Sequence, residues 1–297
     1  MLEYDLEREA SAVLVLGMHR SGTSALAGMI EQAGALGPLT PLPPNDANPK
    51  GYIESKKIMI FNDRLLAKMN SNWDDPLSST KALSKNYRLT SKDYRDAADI
   101  LRSEFLDARL FVLKDPRICR LLPFWTKALA KLEINTLPVL TVRNPLEVAS
   151  SLRTRDGMST AHALLLWLRH TLDAEYYSRK IPRSVNTFED LLSNPTQVIQ
   201  NIKASLDSDS GLFNPSNSVT DFVSEDLRHE RSSVQHLTNS PQTALWVRRC
   251  YEAMCQISSA PASEEARSVL DEIREQFDNA CLLLRPLLET AYGATNH

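Results

Sequence analysis

Apolar and polar positions alternate along the chain in two distinct rhythms. Short continuous apolar runs occur at Ala12–Leu16, Leu110–Leu113, Leu137–Val142 and Ser184–Phe188. Each is too short for a buried helix and is bounded by charge, glycine or proline, so each predicts a strand covered on both faces. Between them the apolar residues recur at helical spacing. Ala25, Leu26, Met29, Ile30 and Ala33 predict a helix over 24–36, Ile58, Phe61, Leu65 and Leu66 a second, and Leu146–Arg153 a third. Asn144 before Pro145 suits an N-cap followed by proline at the first helical position. Helix resumes through Leu191 and over Val198–Leu206, and the Trp167, Leu168, Leu172 stripe is helix packing.

Strands alternating with helices predict an α/β fold whose mostly parallel central sheet is flanked by helices. Ligands of such sheets bind beyond the carboxyl ends of the strands. Three of the four runs end in charged or glycine-containing clusters, Gly17–Thr23, Lys114–Arg117 and Arg143–Pro145. These clusters are therefore expected along one sheet edge. Pro38, Pro41, Pro43, Pro44 and Pro49 mark a stretch too rich in proline for regular structure. Residues 205–218 read as a polar surface loop, and the tail from about 241 is helical in pattern. The expected organisation is one domain over 1–297, with a nucleotide-binding core at about 12–205 and a helical C-terminal region at about 220–297.

Composition narrows the function classes. The 297 residues carry 34 basic and 37 acidic side chains, a net charge of −3, with 42% hydrophobic and 24% charged residues. That excludes a disordered chain and argues against a dedicated nucleic-acid binder, which carries a basic surplus. No apolar run approaches the ~20 residues that span a bilayer, and the acidic MLEYDLEREA start lacks the basic-then-apolar form of a secretory signal. The expectation is a cytoplasmic protein. Cys119, Cys250, Cys255 and Cys281 show no metal-ligand spacing, so four free thiols and no metal site are expected.

Gly17-Met-His-Arg-Ser-Gly-Thr-Ser24 lies between the first strand and the first helix, where backbone N–H groups and a helix N-terminus point at an anion. The spacing nearly fits GxxxxGK[ST], with Gly17, Gly22 and Ser24 in register. Thr23 stands where that motif has lysine, and the cation is Arg20, inside the loop. Nucleoside triphosphate with Mg²⁺ is less well served by such a loop. Further along, Arg143 closes the third run and Ser151 follows eight residues later in the next helix. An arginine presents a fork of donors suited to phosphate oxygens.

Arg20-Ser21-Gly22-Thr23 resembles the phosphosulfate loop of the sulfotransferases that use 3′-phosphoadenosine-5′-phosphosulfate (PAPS), in the arginine form of protein-tyrosine and many prokaryotic members. The Arg143/Ser151 pair, within Arg-Asn-Pro-Leu-Glu-Val-Ala-Ser-Ser-Leu, resembles that family's 3′-phosphate element. The resemblance covers about residues 12–195. It implies a P-loop three-layer fold, with Arg20, Ser21, Gly22, Thr23, Ser24, Arg143 and Ser151 binding the cosubstrate and adenosine 3′,5′-bisphosphate as product. Asn48-Pro49-Lys50-Gly51-Tyr52-Ile53-Glu54 resembles the Asn-Pro-x-Gly-aromatic-x-Glu segment of bacterial members, which implies Glu54 as general base, with His19 a rival. Lys114-Asp115-Pro116 resembles the tyrosyl-type element whose lysine stabilises the transition state, so Lys114 and Arg20 are the implied catalytic cations. Phe188-Glu-Asp-Leu-Leu192 resembles a segment after a sheet strand. The implied partner is a hydroxyl acceptor, a carbohydrate or glycolipid. Leu227-Arg228-His229 is either a basic loop over the nucleotide or solvated surface, and Trp73 either lines an acceptor cleft or fills the core. The alternatives in other classes are a P-loop nucleotide or sugar kinase using ATP, and a catalytically silent nucleotide-binding module.

Overall fold

The computed structural model describes residues 10–44, 51–81, 89–205 and 244–293, with side chains through 286. Strand β1 (Ser11–Leu16) leads into α1 (Thr23–Gln32), then α2 (Lys56–Lys68) and α3 (Ser91–Phe105). Strand β2 (Leu110–Lys114) is followed by α4 (Ile118–Ala130), and β3 (Asn135–Val142) by α5 (Pro145–Asp156) and α6 (Thr160–Ser178). After β4 (Ser184–Thr187) come α7 (Phe188–Ser193), α8 (Pro195–Ser205), α9 (Leu245–Ser259) and α10 (Glu264–Gly293). The expected polar loop at 206–218, residues 227–229 and the start of the C-terminal region lie outside the described residues.

The sheet is parallel in all its pairings, in the order β2-β1-β3-β4. Val15 lies opposite Lys114 on one side and opposite Val139 on the other, so the strand ends bearing the loop, the lysine and Arg143 share one edge. The connection from β1 runs to β2 on one side and that from β3 runs to β4 on the other, so the switch point at which such sheets hold ligands lies between β1 and β3.

Both faces of β1 are apolar because both are covered. Ala12, Leu14 and Leu16 join one buried cluster with Trp125 and Trp167, while Val13 and Val15 join another with α1 and α8. Strand alternation divides one apolar run between two cores. Each fully buried aliphatic side chain contributes about 1.5–3 kcal/mol of transfer free energy. The C-terminal helices belong to the first cluster: Val247, Cys250, Met254 and Ile257 of α9 and Ala266, Leu270, Ile273 and Phe277 of α10 bury one helical stripe each. Among the described residues no helix is long and apolar enough to cross a membrane.

Local chemistry corrects several predicted boundaries. The first helix ends at Gln32 rather than 36, because Gly34 at φ 114° turns the chain and Leu36 pairs backbone to backbone with Leu110 and Val112 at the outer edge of β2. β3 starts two residues before its apolar run, since Asn135 and Thr136 pair with Ser11 and Ala12 through backbone alone. β4 stops at Thr187, where a capping box with Asp190 starts α7 at Phe188. The proline-dense stretch does contain one ordered pairing: Pro41 bridges Ser55, and Leu42 N donates to the Glu54 carbonyl at 2.8 Å. Asn144 caps α5 by accepting from Leu146 N, with Pro145 at the first position, as the sequence predicts.

Candidate functional site

The loop after β1 is built so that glycines bring backbone close to its neighbours. A Cβ on Gly17 would stand 2.7 Å from the Thr141 carbonyl, and one on Gly22 (φ 88°) would stand 2.4 Å from the Phe188 ring. Between them Arg20 adopts the left-handed region at φ 68°, a costly backbone for a side chain of its size. Gly17 N donates to the buried Cys119 Sγ at 3.1 Å, and Thr141 Oγ1 donates to the Ser21 carbonyl at 3.2 Å. α1 starts at Thr23 with Gly22 as N-cap, so no side chain caps its first-turn N–H groups. The buried Ser21 hydroxyl has no partner among the described residues. N–H donors at a helix N-terminus beside such a hydroxyl fit an anion.

At one side of this loop the predicted residues meet directly. Arg20 Nε donates to Ser151 Oγ at 2.7 Å, and Arg143 Nη1 donates to the Arg20 carbonyl at 3.2 Å. Arg143 also pairs through Nε with Glu147 at 2.8 Å, and its guanidinium lies 4.3 Å from the centre of the Phe188 ring. Its own carbonyl accepts from the fully buried Trp167 indole. Burial, with the neighbouring charges of Arg155 and Arg143, lowers the pKa of Arg20.

The second grouping lies at the start of α1. Lys114 Nζ, from the end of β2, donates to Ser24 Oγ at 3.0 Å, to the Tyr52 carbonyl at 3.1 Å and to the Glu54 carboxylate. Lys114 and Glu54 are almost fully buried. Burial raises the Glu54 pKa, and the Lys114 charge opposes that rise. The chain of charges continues: Asp115 accepts from Arg117 N at 2.8 Å and faces its guanidinium, and Arg117 Nε donates to Asp63 at 2.5 Å. Burial works against the Arg117 charge, but Asp115 and Asp63 outweigh it and raise its pKa. Glu54 is carried here by the Pro41–Ser55 bridge and by the α2 N-cap, Ser55, which accepts from Ile58 N.

Beside Glu54 opens a cavity of about 410 Å³, walled mainly by His19, Tyr52, Glu54, Trp73, Arg117 and Arg155. Trp73 therefore faces the cavity while also packing on the core. The His19 ring meets Trp73 edge-on at 5.0 Å, and its buried Nε2 has no partner among the described residues. Burial, reinforced by the Arg155 charge, holds the His19 pKa well below its usual value, so the ring is neutral.

Of the predicted site residues, Arg20, Arg143 and Ser151 meet in one group and Ser24, Lys114 and Glu54 in another, with Ser21, Gly22 and Thr23 between Arg20 and Ser24 in sequence. Sequence reasoning missed Arg117, Arg155 and Tyr52 as cavity residues. Arg117 and Tyr52 sit inside motifs already singled out, so their place was available; Arg155, near the end of α5, carries no such signal. Leu227-Arg228-His229 lies outside the described residues.

No family model matches the chain, and no curated protein sequence matches it. Among solved structures it is similar to the sulfotransferase domain of the Synechococcus PCC 7002 olefin synthase, at 19% identity over 89% of this chain and 98% of that one, with a TM-score of 0.47. It is also similar to the sulfotransferase domain from the curacin biosynthetic pathway, at 14% identity over 90% and 99% of the two chains, with a TM-score of 0.42.

Proposed function

We propose that this chain is a sulfotransferase that moves a sulfuryl group from PAPS to a hydroxyl acceptor of the carbohydrate or glycolipid class. One observation carries the reading: Arg20 on Ser151 and Arg143 on the Arg20 carbonyl join the glycine loop to the Arg143/Ser151 pair. A ligand with two anionic ends, one on the loop and α1 and the other on Arg143 and Ser151, is what such a grouping suits. The resemblance of both segments to PAPS-binding elements points the same way.

The second grouping supplies the chemistry. In the transfer, the acceptor oxygen bonds to sulfur as the bond from sulfur to the bridging oxygen of the donor breaks. The hydroxyl proton passes to Glu54, and the leaving charge gathers on the bridging oxygen, where the Lys114 ammonium stabilises it. The two roles reinforce each other. The Lys114 charge is what restrains the affinity of Glu54 for a proton, so a lysine drawn toward the leaving oxygen leaves behind a stronger base. Arg20, lying on Ser151, is assigned to grip the donor rather than to the breaking bond. His19, neutral and packed on Trp73, is assigned to the acceptor wall. A kinase is disfavoured on a specific contact: Lys114 donates to the Ser24 hydroxyl, the group that ligates Mg²⁺ in an ATP-binding loop.

Calorimetric titration tests the donor. Adenosine 3′,5′-bisphosphate is expected to bind about 10–100-fold tighter than adenosine 5′-monophosphate, the worth of one or two charge-assisted hydrogen bonds. Preference for ATP with Mg²⁺ overturns the reading in favour of a kinase. Tight binding without sulfate transfer from labelled PAPS across a panel of glycans and glycolipids overturns it in favour of a silent binding module.

A further inference from the structure

The cavity wall bearing Trp73 has no regular structure of its own. Residues 70–79 form successive turns, and their carbonyl oxygens are held by guanidinium groups from three separate helices. Arg120 of α4 donates to the Asn72 and Ser78 carbonyls, both at 2.7 Å. Arg169 of α6 donates to the Pro76 carbonyl at 3.0 Å, and Arg285 of α10 donates to the Asn70 carbonyl at 3.1 Å. Arg285 also contacts Ser78 Oγ and lies 3.7 Å from the Asp75 carboxylate. Asp75 in turn accepts from Ser71 Oγ at 2.9 Å and Ser78 Oγ at 2.5 Å. Trp73 therefore stands in the middle of a segment clamped on both sides.

The three clamps are not equivalent. Arg120 and Arg169 are essentially fully buried, and removing either leaves unpaired polar groups in the core. Arg285 is one-third exposed and reaches the segment from the far end of the chain. Its removal takes away one of the three clamps and leaves the two buried ones in place.

We infer that Arg285 is a positioning residue for the acceptor wall. By tying Asn70, Ser78 and Asp75 to the C-terminal helix it fixes where the Trp73 indole stands, and so selects among acceptors while touching neither acceptor nor donor. The word acceptor rests on the sulfotransferase reading; the link from Arg285 to Trp73 does not.

The test separates the two. Trp125 and Trp167 are fully buried, so in a Trp246→Phe background Trp73 is the tryptophan open to a soluble quencher. Arg285→Ala in that background is expected to raise acrylamide quenching about twofold or more, as loss of charged hydrogen bonds lets the segment open locally. Affinity for adenosine 3′,5′-bisphosphate is expected to stay within about twofold of the parent's, because no donor-binding group is disturbed. Trp73→Phe should erase the change in quenching. Unchanged quenching in Arg285→Ala, a change that survives Trp73→Phe, or a parallel collapse of nucleotide binding each overturns the inference. Should Arg285→Ala fail to fold, Asp75→Asn removes the charge facing Arg285 and is held to the same outcomes. If the parent protein does not bind the bisphosphate, the sulfotransferase reading falls, and quenching alone still decides the role of Arg285.

Discussion

The two groupings at the sheet edge differ in how their charges are balanced. Around Ser151, Arg143 pairs with the Glu147 carboxylate and Arg20 donates to a hydroxyl. Around Glu54, Lys114 and Arg117 are interleaved with Glu54, Asp115 and Asp63, so cation and carboxylate alternate along a chain. Two guanidinium groups in one cluster suit holding a dianion, because each presents a fork of donors to its oxygens. A balanced chain suits moving a proton, because each group is poised by the next and a small displacement changes its affinity. On the proposed reading, the same residue types serve binding in one place and proton transfer in the other.

That contrast can be broken from either side. The largest expected effect is at the balanced end: Lys114→Ala should lower kcat about 10²–10³-fold at saturating PAPS, the usual cost of losing a transition-state donor. Single-turnover rates with labelled PAPS check this, and wild-type turnover would remove Lys114 from the chemistry. At the other grouping, Arg143→Ala should weaken binding of adenosine 3′,5′-bisphosphate about 10–100-fold while leaving adenosine 5′-monophosphate nearly unaffected. Equal losses for both nucleotides would erase the distinction between the two groupings. The smallest effect concerns pH. Glu54 accepts a proton only as a carboxylate, and burial raises its pKa, so kcat should decline as pH falls through a value above the ordinary glutamate range. Glu54→Gln should remove that acid limb, and a limb that survives the substitution would assign the base elsewhere.

The sheet and its edge were legible because they obey local rules. Four apolar runs with breakers gave four strands, and the strand-end clusters announced the site. Errors arose where backbone pairing acted without an apolar signal, as at Asn135 and Leu36, or where a cap outranked hydrophobicity, as at Thr187. The Thr187–Asp190 spacing was in plain view as a capping signature. The glycine loop and the Arg143/Ser151 pair could be read because each is a short motif. The cavity wall could not: Trp73 alone suits a core as well as a cleft, and the turns that carry it are held by Arg120, Arg169 and Arg285. The last of these reaches Asn70 across 215 residues, and sequence periodicity has no means to express such a contact. Arg155 is hidden for a similar reason, entering the cavity from the last turn of α5.

Phe188 packs where a methyl on Gly22 would have to go, and its ring lies under the Arg143 guanidinium. A change to the glycine loop at position 22 would therefore not stay local. Any side chain there would displace the aromatic plate on which Arg143 rests, so the loop and the arginine would shift together. The single-hydrogen side chain at position 22 thus couples the turn after β1 to the end of β3, and neither can be remodelled alone.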